Sequence, residues 1–389
     1  MQKKRSMKIM SVVLILVLIC ISITYFKNDS KVVLATTREF NSENLQDNEH
    51  MHIEVDSSGD KVPVPNGYVG SKATGENEID TGYVIYEGTE EVNDDNVEEA
   101  QKTRNQYVWI PVPNASTMYE TDENGKKWGK LYTFTTDTGA NIDPVTGAKP
   151  LNRWTYREPD ISKNFDKDVN LKTINVYADK THEFLNKLEQ EFNSMMESVK
   201  KYRGFYIGRY ETGNLSKEKS VVLKGNMDIN NQKWDIMYNK CKKLKNNNTN
   251  VETGIMWGSQ YDRTLIWLIE SGNKTKEEIC KDSTSWGNHK NAQFEYENTN
   301  GKIVAKIANS STKIPTGSSE YTKANNIYDL VGNMNEYSME AATANTRARR
   351  GGNYYANGDI ANRFERETND LYSKFEFLRL PSNAIHQIA

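Results

Sequence analysis

The stretch IMSVVLILVLICISITYF, Ile9 to Phe26, carries no charge and follows the basic octet MQKKRSMK. A helix of that length spans about 27 Å at ~1.5 Å per residue, enough to cross the hydrocarbon of a bilayer. The basic flank predicts a cytoplasmic tail of residues 1–8, with everything beyond residue 26 outside. The alternative is a secretory signal cleaved after Ala35, where VLA supplies the small residues, and the protein would then be secreted. That site lies well past the apolar run and behind the charged KNDSK, which favours an uncleaved single-pass anchor in the cell membrane.

The formal net charge of −3 already includes the four cations Lys3, Lys4, Arg5 and Lys8, so the rest of the chain is more acidic still. That argues against nucleic acid as a partner, which would need a basic face. Cys20 belongs to the apolar run. Only Cys241 and Cys280 remain beyond it, and they are either one disulfide or two buried thiols. Two cysteines are too few for a structural zinc site.

Residues 27–62 are polar and read as a flexible stalk. His50 and His52 in that stretch are a weak metal pattern, better read as linker. Residues 63–389 then read as one domain with an N-terminal β extension. The acidic EGTEEVNDDNVEEA reads as a solvated loop, and NQYVWIPVP as a strand stopped by prolines. Between Ala178 and Tyr202, apolar Leu185, Leu188, Phe192, Met195 and Val199 recur at helical steps. GFYIGRYETG follows as a strand. NQKWDIMYNKCKKL and SQYDRTLIWLIESG are two further helices, the first with Trp234, Met237, Cys241 and Leu244 on one side. Helices in the middle and short strands at both ends predict an α+β domain closed by its own termini.

The usual catalytic patterns are missing. No Walker loop or dinucleotide fingerprint occurs, HEFLN at His182 lacks the second histidine of a zinc-protease helix, and SSTK from Ser310 has no KTG partner. His289 and His386 have no nucleophile or carboxylate near them in sequence.

The C-terminal third carries a more specific signal. NIYDLVGNMNEYSME, RRGGNYY and FEFLRL occur in order, behind YVWIPV and GFYIGRYETG. Together they resemble the formylglycine-generating (sulfatase-modifying factor) family, from about Gln106 to Pro381. The resemblance implies a variant of the C-type lectin fold, with short twisted antiparallel strands, packed helices and much irregular loop. Phe377-Leu378-Arg379 stands where Gly-Phe-Arg is usual.

What the family's motifs imply here is mixed. Its copper-binding cysteine pair falls on Ala356 and Ala361, and alanine supplies no thiolate, so no copper and no sulfatase-activating catalysis are expected. Its structural calcium loop falls on the side chains of Asp329 and Glu336 and the carbonyls of Gly332 and Met334. Asn335 and Tyr337 replace the two tryptophans of that loop. Its binding groove falls on the stretch after Gly351-Gly352, where Asn353, Tyr354, Tyr355, Asn357, Asn362, Arg363 and Arg366 offer rigid aromatic area and adaptable hydrogen bonds. The alternative by strand alternation places Tyr354 in the core with only Tyr355 exposed, and Trp286 is either a further lining residue or a buried tryptophan. The expectation is a membrane-anchored, extracytoplasmic recognition module for a surface protein or a glycan. The rivals are a divergent enzyme working through His289 and Cys280, and a structural component of the cell envelope.

Overall fold

A computed structural model describes residues 45–112, 181–214, 220–227, 234–280, 282–343, 346–358 and 376–379, together with short strand pieces between 119 and 150. The apolar segment 9–26, Ala35, and the site candidates Ala361, Asn362, Arg363 and Arg366 lie outside the described residues. Among the described residues, no helix is long and apolar enough to cross a membrane.

The protein is mixed α and β, with small antiparallel sheets and, among the described residues, no closed barrel. The chain opens with β1 (Met51–Val55), β2 (Lys61–Pro65), β3 (Tyr68–Gly70) and β4 (Val84–Glu87). Helix α1 (Val97–Thr103) and strand β5 (Gln106–Pro111) follow. The middle holds α2 (Thr181–Tyr202), β6 (Gly204–Gly208), α3 (Trp234–Lys243), β7 (Glu252–Ile255), α4 (Gly258–Glu270) and α5 (Lys276–Cys280). The last part holds the hairpin β8 (Phe294–Glu297) and β9 (Ile303–Lys306), the hairpin β10 (Glu336–Thr343) and β11 (Thr346–Arg350), and β12 (Glu376–Arg379).

Among the described residues, six strands make the main sheet, in the order β7-β12-β6-β5-β4-β3. The late strand β12 lies inside it, pairing Leu378 with Tyr206 on one side and Arg379 with Glu252 on the other. The chain is thus closed by its own C-terminal part, as the order of helices and strands predicts.

Alternation along the central strands sorts side chains onto two covered faces. Val84, Tyr86, Val108, Ile110, Phe205 and Ile207 join the core that Leu188, Phe192, Met195 and Val199 of α2 complete. The alternate residues Ile85, Tyr107, Trp109 and Tyr206 join a second core. Both faces being apolar, these strands read as unbroken hydrophobic runs. Each large side chain buried this way contributes about 1.5–3 kcal/mol.

The second face corrects the stalk reading. From Leu45 on, the polar stretch is part of the folded body: β1 and β2 form a hairpin that lays Met51, Val62 and Val64 on that core. The Tyr206 hydroxyl ties the hairpin down by donating to the Pro63 carbonyl at 3.0 Å. The apolar residues are few but sit at every second position, which is all a one-sided hairpin needs. The acidic loop is also corrected over residues 97–103, where α1 forms with Glu98 and Glu99 in its first turn and Lys102 in its last, the charge order a helix dipole favours.

One buried network joins the halves. Glu76 accepts from Arg209 Nη1 at 2.6 Å and Gln101 Nε2 at 2.8 Å on one oxygen, and from Ser71 and Tyr86 hydroxyls, each at 2.8 Å, on the other. Burial pushes the Glu76 carboxyl up, but Arg209 and the hydrogen bonds outweigh it and hold it below the ordinary value. Arg209→Ala should therefore cost about 3–5 kcal/mol at pH 7 by leaving a buried charge unpaired. In urea unfolding the loss should shrink near pH 4, where Glu76 in the variant takes up a proton. A loss that stays the same across that range would contradict the ion-pair account.

Candidate functional site

The segment after β6 carries the first part of the site. Glu211 is fully buried. Its Oε2 accepts from Asn333 Nδ2 at 2.5 Å and its Oε1 from the Met334 amide at 3.1 Å. The Glu211 amide donates to the Thr316 hydroxyl at 3.0 Å, and that hydroxyl donates to Asp329 Oδ2 at 3.0 Å. The Gly317 amide reaches the same Asp329 oxygen at 2.9 Å. The loop 329–335 is therefore hung from the end of β6 by side-chain hydrogen bonds.

Asn333 is the hub of that loop. It holds a left-handed φ of 49°, which asparagine tolerates better than most residues. Its Oδ1 accepts from Asn288 Nδ2 and the Ile314 amide at 3.0 and 3.1 Å. Its backbone meets the Gly-Gly turn: the Tyr354 amide donates to the Asn333 carbonyl at 3.0 Å, and the Gly332 amide to the Gly351 carbonyl at 2.8 Å. Asn335 accepts from Asn353 Nδ2 at 3.1 Å, a polar tie to the same turn. Tyr337 is buried in the main core.

Gly351 sits at φ 85°, and a Cβ there would run into the Glu336 carboxylate and the Leu330 carbonyl. The glycine thus makes room for a buried acid. Glu336 is only 1% exposed. Among the described residues, neither of its oxygens accepts a hydrogen bond, and the same holds for Asp329 Oδ1. Burial, then the nearby Glu211, push the Glu336 carboxyl well above its usual value. Its own backbone N–H faces the carboxylate and offsets part of that cost without closing a hydrogen bond. Burial likewise pushes the Asp329 carboxyl up to about 6, against the opposing effect of the Gly317 amide and the Thr322 and Thr316 hydroxyls. Arg350, paired in register with Glu336, is fully buried, donates to Asp262, and lies 4.8 Å over the Tyr261 ring.

The structure therefore brings Asp329 and Glu336 into one acidic interior layer and adds Glu211. Motif reading assigned Glu211 no role, because it closes a run that reads as strand. Carboxylate oxygens without hydrogen bonds suit a hard cation such as calcium. Among the described residues no three His, Cys, Asp or Glu side chains converge as a metal cage. An ion here would complete its shell from backbone carbonyls, as the resemblance implies for Gly332 and Met334, and from water.

Outward from this layer, residues 353–358 form a turn. Asn353 is buried, and its Oδ1 accepts from the amides of Tyr355 and Ala356 at 3.2 and 3.1 Å. It shapes the loop and presents no side chain to a ligand. Tyr354 is half-buried and Tyr355 is 51% exposed, their rings edge to face with centroids 5.1 Å apart. Asn357 is half-buried. The turn is stitched to a neighbouring loop: the Lys290 amide donates to the Ala356 carbonyl at 2.8 Å, and the Gly358 amide to Asn291 Oδ1 at 3.0 Å. Ala356 is a half-buried part of this turn.

Trp286 does not line a surface. It is buried in the main core, its indole N–H donates to the Glu278 carbonyl at 3.3 Å, and Lys274 covers its ring at 5.4 Å. Ser283 Oγ and His289 Nε2 are 2.8 Å apart, a spacing a nucleophile and base could use, but both residues are fully buried. Cys241 is buried in the main core beside Met237. The Cys280 side chain, and with it the disulfide, lies outside the described residues. The cavity lined by Glu191, Tyr238, Trp257 and Met339 is about 10 Å³, room for one water.

Comparison with protein-family models and with curated proteins matches nothing to this chain.

Two outcomes test this geometry. Gly351→Ala should destabilise the fold by about 1–3 kcal/mol in urea, because it combines a positive φ with a clash against Glu336; an unchanged midpoint would contradict it. Lys306 is buried and donates to the carbonyls of His289 and Ala292 at 2.7 and 2.8 Å, and burial pushes its ammonium down to about 8. Between pH 8 and the ordinary lysine range the unfolded chain holds the extra proton, so stability from this group rises with pH there. Wild type should gain stability over Lys306→Met as pH rises through that window in matched melts.

Proposed function

We propose that this protein is a membrane-anchored, extracytoplasmic recognition module built on a formylglycine-generating-enzyme-like variant of the C-type lectin fold. It would bind a surface protein or a glycan and would lack sulfatase-activating catalysis. The observation that carries this reading is Tyr355: a half-exposed aromatic ring, braced edge-on by Tyr354, on a turn whose backbone is fixed by Asn353, Asn333, Asn291 and Lys290. A rigid exposed tyrosine offers contact area at low entropic cost and can stack on a sugar ring. Alanine at 356 removes the first thiolate of the copper pair, and the buried Ser283–His289 pair supplies no accessible nucleophile in its place. The calcium of this reading would be held by Asp329, Glu336 and the carbonyls of Gly332 and Met334. It would neutralise buried acid beneath the turn and take no part in a reaction.

Full-length protein in detergent, applied to a glycan microarray with calcium present, should give selective binding. Tyr355→Ala should abolish that binding while changing stability by no more than about 0.5 kcal/mol, as expected for an exposed position. Selective binding that survives in Tyr355→Ala would overturn the loop assignment. Absence of glycan binding together with ligand-free self-association in sedimentation would favour the structural rival.

A further inference from the structure

We infer that β9 is a docking edge for a second copy of this chain, pairing antiparallel about Ala305 so that two β8-β9 hairpins join into one four-stranded sheet. The seam does not involve the Tyr355 turn, so this goes beyond the recognition reading and stands or falls apart from it.

Hydrogen bonding shows which edge of the hairpin is open. The Asn298 amide donates to the Lys302 carbonyl at 2.8 Å, and the register makes Tyr296–Val304 and Phe294–Lys306 the next hydrogen-bonded pairs. The backbone groups of Glu295 and Glu297, and those of Ile303 and Ala305, therefore point out of the hairpin. On the β8 side they find partners: the Glu297 amide donates to the Ser318 carbonyl at 2.9 Å, and the Glu295 carbonyl accepts from the Ser319 hydroxyl at 2.6 Å. On the β9 side, among the described residues, no hydrogen bond reaches the outward groups of Ile303 or Ala305. A row of unpaired amides and carbonyls along a strand is a template for another strand.

The side chains on this edge are complementary to themselves. Ile303 and Ile307 are each 65% exposed, with exposed Ala305 midway between them, while Val304 is half-buried and Lys306 buried on the opposite face. In an antiparallel pair centred on Ala305, each Ile303 lies beside the partner's Ile307, and Ala305 beside the partner's Ala305. A pattern that reads the same in both directions is what a two-fold contact requires. The same register closes the backbone bonds, Ala305 with the partner's Ala305 and the Ile303 carbonyl with the partner's Ile307 amide.

Charge is placed to permit this seam. Glu295 and Glu297 are exposed beside the isoleucines but lie on β8. Across the joined sheet they stand three strands from their counterparts, roughly 14 Å at ~4.8 Å per strand, beyond a screening length of about 8 Å. Exposed Lys302 falls opposite the partner's Ala308, which puts the two Lys302 side chains at opposite ends of the seam. Lys306 brings no charge to it, because its ammonium is turned inward onto the His289 and Ala292 carbonyls. Two isoleucines, an alanine and a short run of backbone cover far less than the ~800 Å² per partner of a stable interface. Pairing is therefore weak in dilute solution, and confinement of copies to one membrane by the proposed anchor would raise their effective concentration.

The test joins sedimentation of full-length protein in detergent to thiol cross-linking in membrane vesicles, the latter in a Cys20→Ser, Cys280→Ser background. Wild type should associate weakly and reversibly as concentration rises. Ile303→Lys should weaken that association at least tenfold without moving the melting midpoint. Ala305→Pro, which removes an outward amide and no bond to β8, should do the same. In vesicles, a short bis-maleimide should join Ala305→Cys to its own copy. Ile303→Cys should react at least fivefold less, since this register holds it roughly 13 Å from its counterpart at ~3.3 Å per residue. Association that survives both Ile303→Lys and Ala305→Pro would overturn the proposal, as would equal cross-linking at 303 and 305. Monomeric protein with no cross-link through Ala305→Cys would overturn it as well. Cross-linking of Ala305→Cys to other membrane-associated proteins, with none to itself, would overturn self-pairing and assign the edge to a strand of another protein.

Discussion

A carboxylate taken out of water must be met by donors, by a cation or by a proton, and the C-terminal half of this protein is arranged around that requirement. Glu211 is met by donors. Its hydrogen bonds to Asn333 and Met334 fix the loop 329–335 against the end of the central strand β6. Asn333 in turn reaches the segments at 288 and 314 and, through its carbonyl, the turn at 354. Glu336, beside it, has no such donors among the described residues, and Gly351 exists where a side chain would collide with it. The turn that presents Tyr355 is thus positioned by buried polar groups more than by apolar packing.

A second buried acid shows the contrasting solution. Glu76 is surrounded by Arg209, Gln101, Ser71 and Tyr86, and its charge is satisfied without an ion. Arg209 and Glu211 are two residues apart just past the end of β6. One ties the N-terminal strands and the other ties the C-terminal loops, so a single strand end organises both sides of the molecule. Such networks are costly when incomplete, and this gives the segment its structural weight.

Much of the scaffold was legible from periodicity. The strands YVWIPV and GFYIG and three of the helices follow from apolar spacing and prolines alone. The hairpin from Leu45 to Pro65 was hidden by its polar composition, since only one of its faces is covered. Helix α1 was hidden by its acids, which in place favour its N-terminus. At the site, Asp329, Glu336 and Tyr355 were legible from motif and chemistry. Glu211 and Asn333 were not, because their roles come from side chains far apart in sequence meeting in the interior. Trp286 has the residue type of a lining aromatic, yet its position under Lys274 and against α5 makes it core.

The central claim is that a cation on the buried acids holds the turn carrying Tyr355. Hydrogen–deuterium exchange of the amides at 354, 356 and 358, in calcium and in chelator, reads this directly. These amides donate to Asn333, Asn353 and Asn291, all within the stitched loops. The account predicts exchange at least tenfold slower with calcium, while sheet amides such as Ile207 stay unchanged. Equal exchange in both conditions, with calcium shown to be bound, would contradict it.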